Sequence, residues 1–273
     1  MAAPQDIPGS AGQGSAGQAS LGYGVQFGAS IKGALSRLVR PPQQAPGPQA
    51  LHRLLRQIML LGGAGIAVIL VLMIAFDVTE IGLMPARGTP SLWPVRILTD
   101  FGKDVYVLWL LAAALVAIFL VAPLRPLSSR GQLLRFATQV QYLLLAVAVP
   151  VLVTQLLKWG IGRGRPFVGG NAEPFNFAPF NGTEAYASLP SGHAVAASAL
   201  AFAVAAVRPS LRIPMCLYAI AICMSRLVLL AHHPSDVVAG ALVGLVGAMV
   251  VRYWFGVRRL GFAIRDGGRI VPR

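Results

Sequence analysis

The chain has 273 residues, of which 56% are hydrophobic and only 12% are charged, and its mean hydropathy is +0.67. Soluble domains carry about 25% charged residues, so this composition excludes a soluble globular protein. Two cysteines are too few for a disulfide scaffold. The net charge of +14 would suggest nucleic acid, but the basic residues stand between apolar runs, as in membrane proteins. We therefore expect a lipid bilayer, and no nucleic acid, as partner.

Residues 1–50 are rich in Gly, Ala, Gln, Ser and Pro and contain no apolar run. Such a composition cannot bury a core, so we expect a disordered cytoplasmic tail. Apolar residues nevertheless recur at helical spacing from Phe27 to Leu38, with basic residues on the other side. This pattern predicts an interfacial helix near 25–40 on the membrane surface. A poorly ordered linker is the alternative that remains open.

Six apolar stretches follow, each long enough or nearly long enough to cross about 30 Å of hydrocarbon. They are 58–76, 105–121, 136–157, 192–207, 213–230 and 237–255. The last three are short or interrupted by polar residues. The sequence predicts an all-α fold, a six-span transmembrane helix bundle over 51–256, followed by a cytoplasmic tail at 257–273.

Basic residues are distributed unevenly between the two sides of such a bundle. With the N-terminus in the cytoplasm, 16 of the 23 basic residues fall on cytoplasmic segments. Because positively charged segments remain on the cytoplasmic side, we expect both the N- and the C-terminus there. Segments 77–104, 158–191 and 226–236 then lie on the outer face.

These outer segments hold an unusual group of residues at the ends of the predicted spans. In chain order the group contains Lys158, Arg163, Arg165, Ser191, Gly192, His193, Arg226, His232, His233 and Asp236. Ionisable groups near lipid are costly, which favours a functional role. Arginine, lysine and the start of a helix bind phosphate oxygens, and a histidine oriented by a carboxylate can attack phosphorus. The residue types therefore indicate phosphoryl transfer.

Three segments carry a recognisable pattern: Lys158-x6-Arg165-Pro166, Pro190-Ser191-Gly192-His193 and Ser225-Arg226-x5-His232-x3-Asp236. These eleven positions resemble the signature of the type 2 phosphatidic acid phosphatase superfamily, and the six-span layout over 58–255 resembles its membrane-bound branch. The resemblance implies a metal-independent lipid phosphatase that works through a phosphohistidine and needs no cofactor. The substrate would be a membrane lipid phosphate. Phosphatidic acid, phosphatidylglycerophosphate, prenyl diphosphates and lipid A all remain open.

The resemblance also implies a role for each residue. His232 would be the nucleophile, Asp236 would orient it, and His193 would act as general acid and then as base. The phosphate would be bound by Lys158, Arg165, Arg226, Ser191 and Gly192. His233 is the alternative nucleophile, and we interpret Arg163 as a solvated loop charge.

Two other function classes remain open. A lipid phosphotransferase would use the same phosphohistidine, but the sequence identifies no acceptor site. A transporter, which we rank lower, would carry charges along its spans rather than at one face. The excess of arginine over lysine indicates a bacterial genome, hence an inner-membrane protein with a periplasmic active site. The oligomeric state cannot be predicted.

Overall fold

The computed structural model describes residues 22–42, 48–170 and 173–273. Most of the predicted disordered tail, residues 1–21 and 43–47, lies outside these ranges. The described chain forms nine α-helices: α1 (Tyr23–Val39), α2 (Pro48–Ala75), α3 (Asp77–Leu83), α4 (Trp93–Asp100), α5 (Asp104–Val121), α6 (Leu127–Ile161), α7 (Gly192–Val207), α8 (Arg212–Val228) and α9 (Pro234–Val257). A two-stranded hairpin, β1 (Phe262–Arg265) and β2 (Arg269–Pro272), follows them.

Five helical segments in the described residues are long and apolar enough to cross a membrane. They are Pro48–Ala75, Pro90–Leu124, Ser128–Ile161, Pro209–Val228 and Pro234–Val257. The chain is therefore an integral membrane protein with a predominantly α-helical bundle, as predicted. The remaining predicted span, α7, has 16 residues. At 1.5 Å per residue it is about 24 Å long, which is shorter than the hydrocarbon layer.

α7 lies at the centre of the bundle, in contact with α5, α6, α8 and α9. Small residues permit this close packing, because a Cβ at Gly240 of α9 would lie 2.5 Å from the carbonyl oxygen of Ser191. A Cβ at Gly244 would collide with the carbonyl of Val195. Two small residues four positions apart are typical of closely packed membrane helices. The first turns of α7 and α9 consequently lie together at one end of the bundle, called here the site end.

The opposite end is closed by α1 and the C-terminal hairpin. Ala34 of α1 is buried in a cluster with Phe119, and the indole Nε1 of Trp254 donates to the carbonyl of Leu38 at 3.2 Å. In the hairpin, Phe262 packs edge-on against Tyr142, with ring centroids 4.7 Å apart. The segment that follows the last span is thus a folded part of the protein.

Candidate active site

The antiparallel order of the helices brings the three signature segments to the site end. Lys158 lies in the last turn of α6, and Arg226 lies in the last turn of α8. Ser191 is the N-cap of α7, and Asp236 lies in the first turn of α9. The backbone N–H of Ser191 donates to the carbonyl of Asp236 at 3.0 Å. This hydrogen bond joins the second signature segment directly to the third.

His232 and Asp236 form a buried pair in the centre of the site. His232 Nδ1 lies 3.8 Å from Asp236 Oδ2, which is beyond hydrogen-bond distance. The hydroxyl of Ser188 links the two residues, since its Oγ donates to Asp236 Oδ2 at 2.5 Å and lies 3.4 Å from His232 Nδ1. Because Nδ1 faces the carboxylate, Nε2 is directed away from it. Nε2 is the nitrogen that could attack phosphorus.

Burial sets the protonation state of this histidine. It lowers the pKa of His232 to about 4, although the negative charge of Asp236 acts in the opposite direction. His232 is therefore neutral at pH 7, which is the form required of a nucleophile. Burial also lowers the pKa of the neighbouring His233.

Asp236 is held by a buried network that extends to α3. Arg163 donates through Nη1 to Asp236 Oδ1 at 2.6 Å and through Nη2 to Asp77 Oδ2 at 2.7 Å. Ser235 donates to Asp77 through its backbone N–H at 3.0 Å and through its hydroxyl at 2.5 Å. The backbone N–H of His233 donates to Asp236 Oδ2 at 3.0 Å. One guanidinium thus joins two carboxylates, and all these side chains are fully buried.

The interpretation of Arg163 as a solvated loop charge is wrong. Its side chain is 0% exposed, and its Nε donates to the carbonyl of Pro174 at 2.9 Å. Sequence reasoning also missed Asp77 and Ser188, which belong to no part of the signature. For Asp77 a signal was available, because a carboxylate directly after an apolar span is costly without a partner. For Ser188 the sequence carried no comparable signal.

The predicted phosphate-binding residues lie around the start of α7. Lys158 Nζ and Asp104 Oδ2 are each 3.7 Å from the position that a Cβ at Gly192 would occupy. Arg226 is largely buried, and its Nη1 donates to Thr99 Oγ1 at 2.8 Å. Gly192 directly precedes His193, so Lys158 lies close to the start of the helix that carries the predicted general acid.

Arg165, a further predicted phosphate-binding residue, is engaged by a neighbouring loop. Its Nη2 donates to Glu184 Oε2 at 2.8 Å, and its Nε donates to the carbonyl of Glu184 at 2.9 Å. The Glu184 side chain is 89% exposed. The Glu184 carboxylate therefore accepts from the Arg165 guanidinium, the group that would otherwise donate to a phosphate.

Several buried polar atoms at the site have no hydrogen-bond partner within the described residues. They are Ser191 Oγ, His193 Nε2 and Arg226 Nε. Buried polar groups are normally hydrogen-bonded, so these atoms suit a polar ligand. Together with the free N–H groups of the first turn of α7, they can receive the oxygens of a tetrahedral anion.

Residues 139–260 match the family model described as the PAP2 superfamily. This range includes all eleven signature positions and the helices α7, α8 and α9. Residues 139–260 of the chain are therefore similar to the PAP2 superfamily. This match supports the family predicted from the signature. The PAP2 match begins within α6, so Asp77 lies outside it.

Two curated bacterial proteins are similar to this chain. Lipid A 1-phosphatase of Rhizobium johnstonii is 35% identical over 153 residues, which are 55% of this chain and 62% of the relative. Lipid A 1-phosphatase of Rhizobium etli is 34% identical over 153 residues, 55% of this chain and 65% of the relative. The chain thus covers less than two thirds of the length of either relative. No solved structure matches it.

Proposed function

We propose that this protein is an integral-membrane lipid phosphatase of the PAP2 superfamily that hydrolyses a terminal phosphate through a phosphohistidine, without a metal ion. The observation that carries the proposal is the buried His232, neutral at pH 7, with Nδ1 towards Asp236 and cationic side chains nearby. The two relatives are named lipid A 1-phosphatases. A phosphate on a lipid A-like headgroup is therefore our first candidate substrate.

In the first step, His232 Nε2 attacks phosphorus and the bond from phosphorus to the ester oxygen breaks. Lys158 and Arg226 bind the phosphoryl oxygens and stabilise the charge that develops on them. Arg165 joins them when the substrate phosphate replaces the Glu184 carboxylate. His193 donates a proton to the leaving oxygen, and Asp236 stabilises the positive charge that forms on the His232 ring.

In the second step, water attacks the phosphohistidine. His193, now deprotonated, accepts a proton from this water as its oxygen bonds to phosphorus. The bond between phosphorus and Nε2 breaks, inorganic phosphate leaves, and His232 returns to its neutral form. His232 is therefore the nucleophile in the first step and the leaving group in the second, while His193 acts first as acid and then as base.

We propose six spans, with both termini in the cytoplasm and the site on the periplasmic face of a bacterial inner membrane. The positions of 16 of the 23 basic residues support this orientation. α7 connects the site end to the opposite end although it is short. Because protein helices surround it, α7 need not match the thickness of the lipid.

We further propose that the lipid tail occupies an apolar cleft between α7, α8 and α9. The cleft has a volume of about 610 Å³, and its lining includes Phe202, Ile220, Leu227, Pro234, Val238 and Leu245. Leu227 adjoins Arg226, and Pro234 follows the two histidines in the chain. A tail in this cleft would extend from the phosphate site into the bilayer, which favours a lipid over a soluble phosphate ester.

The test is phosphate release by the purified full chain in detergent micelles that contain EDTA. Lipid A, phosphatidic acid, phosphatidylglycerophosphate and undecaprenyl diphosphate are offered separately. His232→Ala is the inactive variant, and His52→Ala, an exposed histidine of α2, is the matched control. We expect release by the wild type and by His52→Ala but not by His232→Ala.

Equal release by His232→Ala would refute the proposed nucleophile, and a strict need for Mg²⁺ would refute the metal-free mechanism. If no lipid releases phosphate although His232 becomes phosphorylated, the protein is instead a phosphotransferase that awaits an acceptor. The described residues contain no group of His, Cys, Asp and Glu that could hold a metal ion. Only the EDTA measurement tests the metal requirement.

A further inference from the structure

A small polar cavity lies at the opposite end of the bundle, between α2, α9 and the C-terminal hairpin. Its volume is about 210 Å³. Three arginines from three different elements line it: Arg53 from α2, Arg252 from α9 and Arg269 from β2. Gln57 adds an amide, while Leu54, Met249, Ile270 and Val271 supply an apolar side. The lining of the cavity therefore combines basic residues with an apolar wall.

These three guanidinium groups lack a carboxylate partner. None of the ion pairs among the described residues includes them, and Arg252 Nε is buried without a hydrogen-bond acceptor. Arg53 has one long hydrogen bond, from Nη1 to the carbonyl of Gly267 at 3.4 Å. Arg53 and Arg269 are exposed, whereas Arg252 is partly buried and its guanidinium carbon lies 4.8 Å from the centre of the Phe202 ring. Water screens the repulsion between the exposed charges, and Arg252 Nε keeps an unused donor.

The local composition supplies almost no negative charge that could offset this repulsion. Of the nine acidic residues, seven lie at the site end and Asp6 lies outside the described residues. The remaining one, Asp266, is exposed in the hairpin turn and forms none of the ion pairs described. No acidic side chain among the described residues therefore pairs with these arginines.

The C-terminal hairpin packs closely against α2 and so fixes one wall of the cavity. Gly268 has a φ of +74°, and a Cβ there would lie 2.8 Å from the backbone of Ala50 in α2. Ile264 pairs with Ile270 across the two strands. The close approach of Gly268 to α2 places Arg269 beside Arg53, so the arrangement of charges follows from the fold.

We propose that this cavity binds the phosphate group of an anionic ligand, with the arginines as donors and the apolar wall facing the glycerol or acyl part of a phospholipid. Arginine binds phosphate through paired N–H donors, which suits three guanidinium groups around a small cavity. The cavity lies at the end of the bundle remote from His232, so the proposal does not depend on the phosphatase activity.

The test measures ligand binding to the purified full chain in uncharged detergent. Fluorescent phosphatidylglycerol, fluorescent phosphatidylcholine and inorganic phosphate, the last as competitor, are the three probes. Arg53→Gln/Arg269→Gln removes two of the lining charges. Arg56→Gln/Arg265→Gln is the matched control, because it removes two exposed charges from the same helix and hairpin but outside the cavity.

We expect saturable phosphatidylglycerol binding that weakens about tenfold or more in Arg53→Gln/Arg269→Gln and less than about twofold in the control. Competition by inorganic phosphate would identify a site for the anion itself, and its failure would identify a site for the lipid headgroup. Equal affinity for phosphatidylcholine, or the same loss in both double variants, would overturn the proposal. Melting temperatures of both variants without lipid show whether each is folded.

Discussion

The two ends of the helix bundle neutralise their charges in different ways. At the site end, Arg163 is fully buried and pairs with two carboxylates, Asp77 and Asp236. At the opposite end, Arg53, Arg252 and Arg269 line one cavity and take part in none of the ion pairs described. The same residue type therefore serves internal structure at one end and, as we propose, an external anion at the other. The two ends differ because seven of the nine acidic residues lie at the site end.

The largest effect that this comparison predicts is on stability. Arg163→Gln leaves two buried carboxylates facing each other without a cation, so we expect a loss of about 3–5 kcal/mol. The exposed Arg56 offers a matched variant, Arg56→Gln, which should change stability by less than about 0.5 kcal/mol. Thermal unfolding in detergent measures both. Equal melting temperatures for the two variants would contradict the account of the buried network.

The next effect concerns the Ser188 hydroxyl, which links His232 to Asp236. Ser188→Ala removes the hydrogen bond to Asp236, so we expect kcat to fall about tenfold while KM stays unchanged. Ser188→Thr keeps the hydroxyl and should restore most of the rate. Ser129→Ala is the control, because the Ser129 hydroxyl is exposed at the start of α6 and donates to the Pro126 carbonyl. A change in KM alone would assign Ser188 to substrate binding instead.

A pH-dependent effect follows from Glu80, a buried carboxyl of α3. Burial, with a contribution from Asp77, raises its pKa from 4.5 to about 7. The folded protein therefore holds a proton that the unfolded chain releases, and the stability contributed by this group is lost as the pH rises from 4.5 to 7. Glu80→Gln should raise the melting temperature at pH 8 and leave it unchanged at pH 4. An equal rise in the melting temperature of Glu80→Gln at pH 4 and pH 8 would contradict the raised pKa of Glu80.

The smallest effect concerns the contact between Arg165 and Glu184. An exposed ion pair is worth at most about 1 kcal/mol, so removing the competing carboxylate should lower KM by no more than about fivefold. Glu184→Gln makes this change, and Glu173→Gln is the control in the same loop. Initial rates at a series of lipid concentrations give KM. A higher KM in Glu184→Gln would mean that Glu184 positions Arg165 for the substrate.

The sequence predicted those features of the fold and site that depend on local pattern. The length of the apolar stretches predicted the long helices, and fixed spacing predicted the family resemblance. The same spacing predicted that His232 and Asp236 lie together, and the structure places them side by side. Asp77 and Ser188 could not be found in this way, because they meet Asp236 only through tertiary packing of α3 and a loop. The hairpin had a local signal that was overlooked, since Asp266-Gly267-Gly268 separates two short apolar runs.

The most direct test of the central claim is to trap the phosphorylated intermediate. The wild type and His232→Ala are mixed with the lipid that releases phosphate, quenched at alkaline pH and digested, and the peptides are analysed by mass spectrometry. We predict a phosphorylated histidine at His232 that is absent from the variant. Phosphate on His233, or sustained turnover by the wild type with no labelled histidine, would contradict the assignment of His232 as the nucleophile.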